Sequence, residues 1–124
     1  MPLRLRYLFY KLGVMTTSLG TLELSALLAV SRLGEGAYGL AVRHDLSERA
    51  GRDYSVGAIY TTLQRLEDKG LLASYASDPL PVRGGRSRRH FRITGAGARA
   101  IRDAERQAES MWAGVDTRVR PRTA

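Results

Sequence analysis

Few residues in this chain are placed to do covalent chemistry. His44 and Glu48 stand four apart, a spacing that puts two side chains on one helix face, where they can hold a metal ion. A tetrahedral site needs four donors, however, and neither a further histidine nor any cysteine stands nearby. The two read as a solvated surface pair. His90 lies in the run Arg88-Arg89-His90-Phe91-Arg92, a setting that suits contact with an anion better than acid–base work. Gly84-Gly85 lacks both the Lys-Ser/Thr and the strand-to-helix setting of a phosphate-cradling loop. No nucleophile, base and orienting group come together. The sequence therefore predicts no catalytic residue, no metal site and no cofactor.

What remains is the chemistry of cations. Twenty Lys+Arg against twelve Asp+Glu give a net charge of +8 and a pI near 10.6, and most of the cations are arginine, which meets phosphate with a planar fork of donors. Charge that served only solubility would scatter. Here residues 83–92 hold five of the twenty, Arg83, Arg86, Arg88, Arg89 and Arg92, so a polyanionic partner is the simpler reading. The absence of cysteine excludes disulfides and thiolate sites and is compatible with a reducing cytoplasm, the expected location. No apolar run approaches the length that crosses a membrane.

The stretch Ser55 to Leu72 is the element that must present this chemistry. Val56, Ile59, Leu63 and Leu66 recur at helical spacing on one face, while Gly57, Ala58, Thr61, Gln64, Arg65 and Asp68 lie on the other. Ser55 is a good N-cap and Gly70 is placed to end the helix in a left-handed conformation. The outer face is short and polar near its start, which permits close approach to a nucleic-acid groove.

Around it, 124 residues suffice for one domain, small enough that dimerisation would add stability. Residues 1–15 read as an N-terminal arm or as an upstream extension before Met15. A first helix is expected over about 19–32, with Thr16-Thr17-Ser18 offering capping hydroxyls, and a second over about 37–50 after the break at Gly34-Glu35-Gly36. Residues 71–77 read as a strand, 83–89 as a cationic tip and 90–93 as a second strand, which together make a hairpin. Thr94 caps a last helix over 95–115, where Ile101, Ala104, Ala108, Met111 and Val115 repeat at three- and four-residue intervals with Trp112 beside them. That narrow apolar seam predicts a homodimer interface. The tail 116–124 is expected to be disordered.

Helix, helix, helix, strand, basic loop, strand, helix is the order of a winged helix-turn-helix, mainly α with a small β-hairpin, in which 16–94 form the DNA-binding part. The third helix is expected in the major groove and the basic loop on phosphates or the minor groove. Ser55, Gly57, Ala58, Tyr60, Thr61, Thr62 and Arg65 are the expected DNA contacts on the helix, with Arg83, Arg86, Arg88 and Arg89 on the wing. Thr61 and Thr62 suit a thymine methyl, Tyr60 suits the backbone, and Arg65 suits a guanine or phosphate unless it pairs with Glu67 or Asp68. The alternative is a winged-helix module that docks on an acidic protein.

These residues also carry a resemblance. Tyr38-Gly39, the run Ser55-Val56-Gly57-Ala58-Ile59-Tyr60-Thr61-Thr62-Leu63-Gln64-Arg65-Leu66-Glu67-Asp68-Lys69-Gly70-Leu71, Arg83-Gly84-Gly85-Arg86, and Phe91-Arg92-Ile93-Thr94 followed by Gly97 resemble the PadR-type transcriptional regulators of bacteria and archaea, over about residues 19–115. The resemblance implies a homodimer that binds a palindromic operator, usually as a repressor, through double-stranded DNA, with the C-terminal helix joining the subunits. It also implies, for some members, release by a small aromatic effector near that interface, where Trp112 lies. The family commonly has Gly-Tyr where this chain has Tyr38-Gly39, and larger members carry a helical bundle where this chain has one C-terminal helix.

Overall fold

The computed structural model describes residues 19–77 and 88–122. Its elements follow the expected order: α1 (Thr21–Leu33), a 3-10 turn (Gly34–Gly36), α2 (Gly39–Ala50), α3 (Val56–Asp68), β1 (Leu72–Ala76), β2 (Arg89–Ile93) and α4 (Gly95–Trp112). The expected caps Thr16, Thr17 and Ser18 lie outside the described residues, as do the arm 1–15 and the cationic tip at 83–87. At the start of α1 it is Gly20 that takes the N-cap position, and its N–H donates to the Glu23 carboxylate at 3.2 Å.

One core joins all the elements. Ala26, Leu27 and Val30 of α1, Val42 and Leu46 of α2, and Ile59, Leu63 and Leu66 of α3 pack with Leu71, Leu72, Phe91, Ala96 and Ala100, each at most 6% exposed. The strands pair antiparallel, from Leu72 opposite Ile93 to Ala76 opposite Arg89. The chain ahead of α2 adds to this ribbon, because the Phe91 N–H donates to the Ala37 carbonyl at 2.8 Å and Tyr38 bridges to His90. The start of α2 is thereby tied to the wing.

The corner after α3 has a local chemical cause. Gly70 takes φ +74°, so that its own N–H reaches the Glu67 carbonyl at 2.9 Å and the Leu71 N–H reaches that of Leu66 at 2.9 Å. Leu66 and Leu71, both fully buried, close the turn. Thr94 then locks α4 to this corner: its hydroxyl donates to the Gly70 carbonyl at 2.6 Å and accepts from the Gly97 N–H at 3.0 Å. Gly97 leaves no room for a side chain, since a Cβ there would stand 2.1 Å from the Leu71 carbonyl oxygen.

Two ion pairs cross the helix layer. Lys69 at the end of α3 meets Glu23 of α1 at 2.5 Å, with side chains only 10% and 16% exposed. Arg32 of α1 meets Asp45 of α2 at 2.5 Å, and Arg49 joins the same carboxylate at 3.3 Å. The Arg32 hydrogen bond, aided by Arg49 and opposed by partial desolvation, holds the Asp45 carboxyl below its ordinary value of 3.8. A carboxyl whose pKa falls on folding contributes stability that is present above its unfolded value and is lost as the pH drops through the lower folded one. Asp45→Asn should therefore cost about 1 kcal/mol at pH 7. Urea titrations across the acid range should show the variant losing less stability than the wild type as pH falls through and below 3.8; parallel losses would show that the pair contributes nothing.

Candidate nucleic-acid interface

The third helix has the start and stop expected of it. The Ser55 hydroxyl accepts from the Ala58 N–H at 3.1 Å, which satisfies one free donor of the first turn. Ile59, Leu63 and Leu66 are fully buried, and Gly57, Thr61, Gln64 and Arg65 form an exposed outer face. Ala58 is half-buried at the edge of that face. Two residues lie elsewhere than their spacing suggested. Val56, expected on the packed face, is 44% exposed because the helix begins before the core does. Thr62, expected to meet DNA, is 5% exposed, and its hydroxyl donates to the Ala58 carbonyl at 2.7 Å. It has turned its methyl to the core and its polar atom to its own backbone.

The acids that compete for Arg65 are occupied. Asp68 accepts from the Gln64 amide at 3.0 Å, and Glu67 accepts from the Ser74 hydroxyl at 2.8 Å while pairing with Arg89. Among the described residues Arg65 makes no ion pair, and it is exposed on the outer face of α3. Arg89, by contrast, was expected to contact nucleic acid and instead braces the protein. Its guanidinium donates to the Gln64 Oε1 at 3.2 Å from each of two nitrogens, besides its pair with Glu67. Odd-numbered residues of β2 face the helices, and Arg89 shares the side of the buried Phe91.

At the base of the wing, Arg88 is exposed and its guanidinium lies 4.4 Å from the centre of the Tyr38 ring. Tyr38, His90 and Tyr75 follow in series with their rings tilted, at 5.6 and 5.5 Å between ring centres. His90 Nδ1 lies 2.9 Å from the Glu35 carbonyl. A carbonyl only accepts, so Nδ1 carries the proton. Arg83 and Arg86 fall outside the described residues.

The order Tyr38-Gly39 has a steric meaning. A Cβ on residue 39 would stand 2.5 Å from Tyr60 Cζ, so the Tyr60 ring lies against the bare backbone at the start of α2. Tyr38 supports Arg88 on one side while Gly39 receives Tyr60 on the other. The sequence singled out neither this role nor those of Glu67 and Gln64; each depends on contacts between elements far apart in the chain.

The apolar seam of α4 divides in two. Ile101 and Ala104 are half-buried against the domain, whereas Ala108, Met111 and Trp112 are exposed, the last two at 73% and 63%. Val115 does not continue the seam, because the helix ends at Trp112, Ala113 leaves the helical conformation and Gly114 takes φ +78°. Among the described residues the tail beyond has no regular element, but Asp116 closes a turn by accepting from the Arg118 N–H at 2.9 Å.

His44 and Glu48 approach to 3.4 Å with both side chains more than 70% exposed, and no cluster of three or more metal-ligating side chains occurs among the described residues. No helix there is long and apolar enough to cross a membrane.

Comparison with known proteins converges on one family. The model of the PadR-like transcriptional regulator family matches residues 27–103. A crystal structure of a PadR family transcriptional regulator from Eggerthella lenta DSM 2243 is 33% identical, with a TM-score of 0.58 over 75% of this chain and 82% of that one. A PadR family transcription regulator from Clostridium difficile R20291 is 26% identical, with a TM-score of 0.50 over 71% and 88% of the two chains. A PadR-like transcription factor from Bacteroides fragilis shares the fold at 22% identity, with a TM-score of 0.61 over 74% and 84%. No curated protein matches.

The Glu67 clasp is testable without DNA. Glu67→Ala should cost about 1–3 kcal/mol through lost charged hydrogen bonds. Amide exchange should quicken across β1 and β2 more than in α1; a uniform increase would show that the clasp does not hold the hairpin in particular.

Proposed function

The chain belongs to the PadR-like family of transcriptional regulators, and on that premise we propose that it represses transcription as a homodimer bound to a palindromic operator. The observation that carries this reading is the outward face of α3, where Gly57, Thr61 and an Arg65 free of ion pairing among the described residues stand beside the cationic base of the wing. Helix α3 enters the major groove by its N-terminal half. Ser55, Gly57 and Ala58 allow close approach, Thr61 and Arg65 meet base edges or phosphate, and the Tyr60 hydroxyl borders the backbone. Arg83, Arg86 and Arg88 of the wing neutralise phosphates alongside. Arg89 acts indirectly, by fixing the wing against α3.

The second copy docks on the outer half of α4. Met111 and Trp112 are large apolar side chains that no described residue covers, and Ile101, Ala104 and Ala108 extend their line inward. Such a patch is typical of an interface core, with tryptophan its usual anchor. A two-fold axis there sets two α3 helices about 34 Å apart, one turn of DNA.

In gel-shift titrations the protein should prefer its own promoter to a scrambled duplex by about a thousandfold or more, with affinity falling steeply as salt rises. Arg65→Ala should cost about 1–3 kcal/mol and relax preference at one base position. Equal affinity for the two duplexes would favour a protein-docking module instead. For the dimer, Met111→Asp should shift sedimentation to the monomer; an unchanged dimer would remove α4 as its seam.

A further inference from the structure

We propose that this protein reads thymine C5-methyl groups through an apolar strip made by Leu40, Val56 and Tyr60. Among the described residues, away from the hairpin and the C-terminal region, these are the large hydrophobic side chains that stand exposed, at 53%, 44% and 41%. They come from the first turns of two different helices, α2 and α3, yet they converge. Val56 and Tyr60 lie one turn apart on α3. Tyr60 rests on the backbone of Gly39, the residue before Leu40. Leu40 shares its helix face with Arg43 and Ser47, and both of these bond to Tyr54 just ahead of α3: Arg43 Nε donates to the Tyr54 carbonyl at 2.5 Å, and the Ser47 hydroxyl accepts from the Tyr54 N–H at 3.3 Å. Leu40 therefore faces the entrance of α3.

The strip borders the polar face on which the operator reading rests, and the present inference depends on that reading. Its occupant must combine an apolar group with a polyanion, because the guanidinium of Arg88 lies over the ring of Tyr38, two residues before Leu40 in the chain. The major groove offers one such group on its base edges, the thymine methyl. Gly57 lies between Val56 and Tyr60 in the chain, and a Cβ there would meet no atom within 4 Å, so Gly57 adds no bulk beside this strip. With Thr62 turned to the core, the methyl contact expected of it passes to these neighbours.

The test uses the full chain and a duplex selected by it from a random-sequence pool. Replacing thymine by deoxyuridine removes the methyl and keeps the base-pairing edge. Wild-type affinity should fall about fourfold for each methyl read, at one or two positions in each half-site. Val56→Ala and Leu40→Ala should bring the thymine-to-uracil ratio toward one, while Tyr60→Phe, which keeps the ring, should preserve it. Equal wild-type binding to both duplexes overturns the proposal while leaving operator binding intact, as does a ratio unchanged in both alanine variants. A pool that never enriches overturns operator recognition itself, and this proposal with it.

Discussion

The carboxylate of Glu67 holds together the parts that any DNA-reading role requires. It sits in the last turn of α3, yet it accepts from Ser74 of β1 and pairs with Arg89 of β2. One side chain thus joins the helix to both strands of the wing and sets the angle between them. Gln64, one turn earlier, extends the clasp to Asp68 and Arg89. The arrangement also sorts the charges. By engaging the acids of α3 with a wing arginine and an amide, it leaves the exposed Arg65 without an ion pair among the described residues.

Around that clasp the remaining constraints act at the start of each element. Gly39 lets Tyr60 lie on α2, Gly97 lets α4 press on the Leu71 carbonyl, and Gly70 turns the chain between α3 and β1. The three glycines answer two demands, two of them close approach and one a left-handed backbone. The Tyr38-Gly39 order fits this scheme, because the aromatic ring carries Arg88 and the missing side chain admits Tyr60.

What was legible in the sequence was whatever local chemistry decides. Ser55 and Thr94 announced helix starts because a hydroxyl can satisfy only nearby N–H groups, and Gly70 announced a stop because its neighbours gain hydrogen bonds from a left-handed turn. The order of elements and the family followed. Thr62 was misplaced because its position on the helix wheel is near the boundary and the crossing with the core, not periodicity, decides which side is dry. The bracing role of Arg89 was not legible because the register of the strands turns it toward Glu67, and no short stretch encodes that register. Val115 continues a spacing but not a helix, which had already ended at Trp112.

Trp112 is the chain's single tryptophan, and it stands at the far end of α4, remote from the buried cluster that holds the fold. Its emission therefore carries no signal from the interior. The colour of that fluorescence belongs to the outer end of α4, and the molecule has its own lamp there.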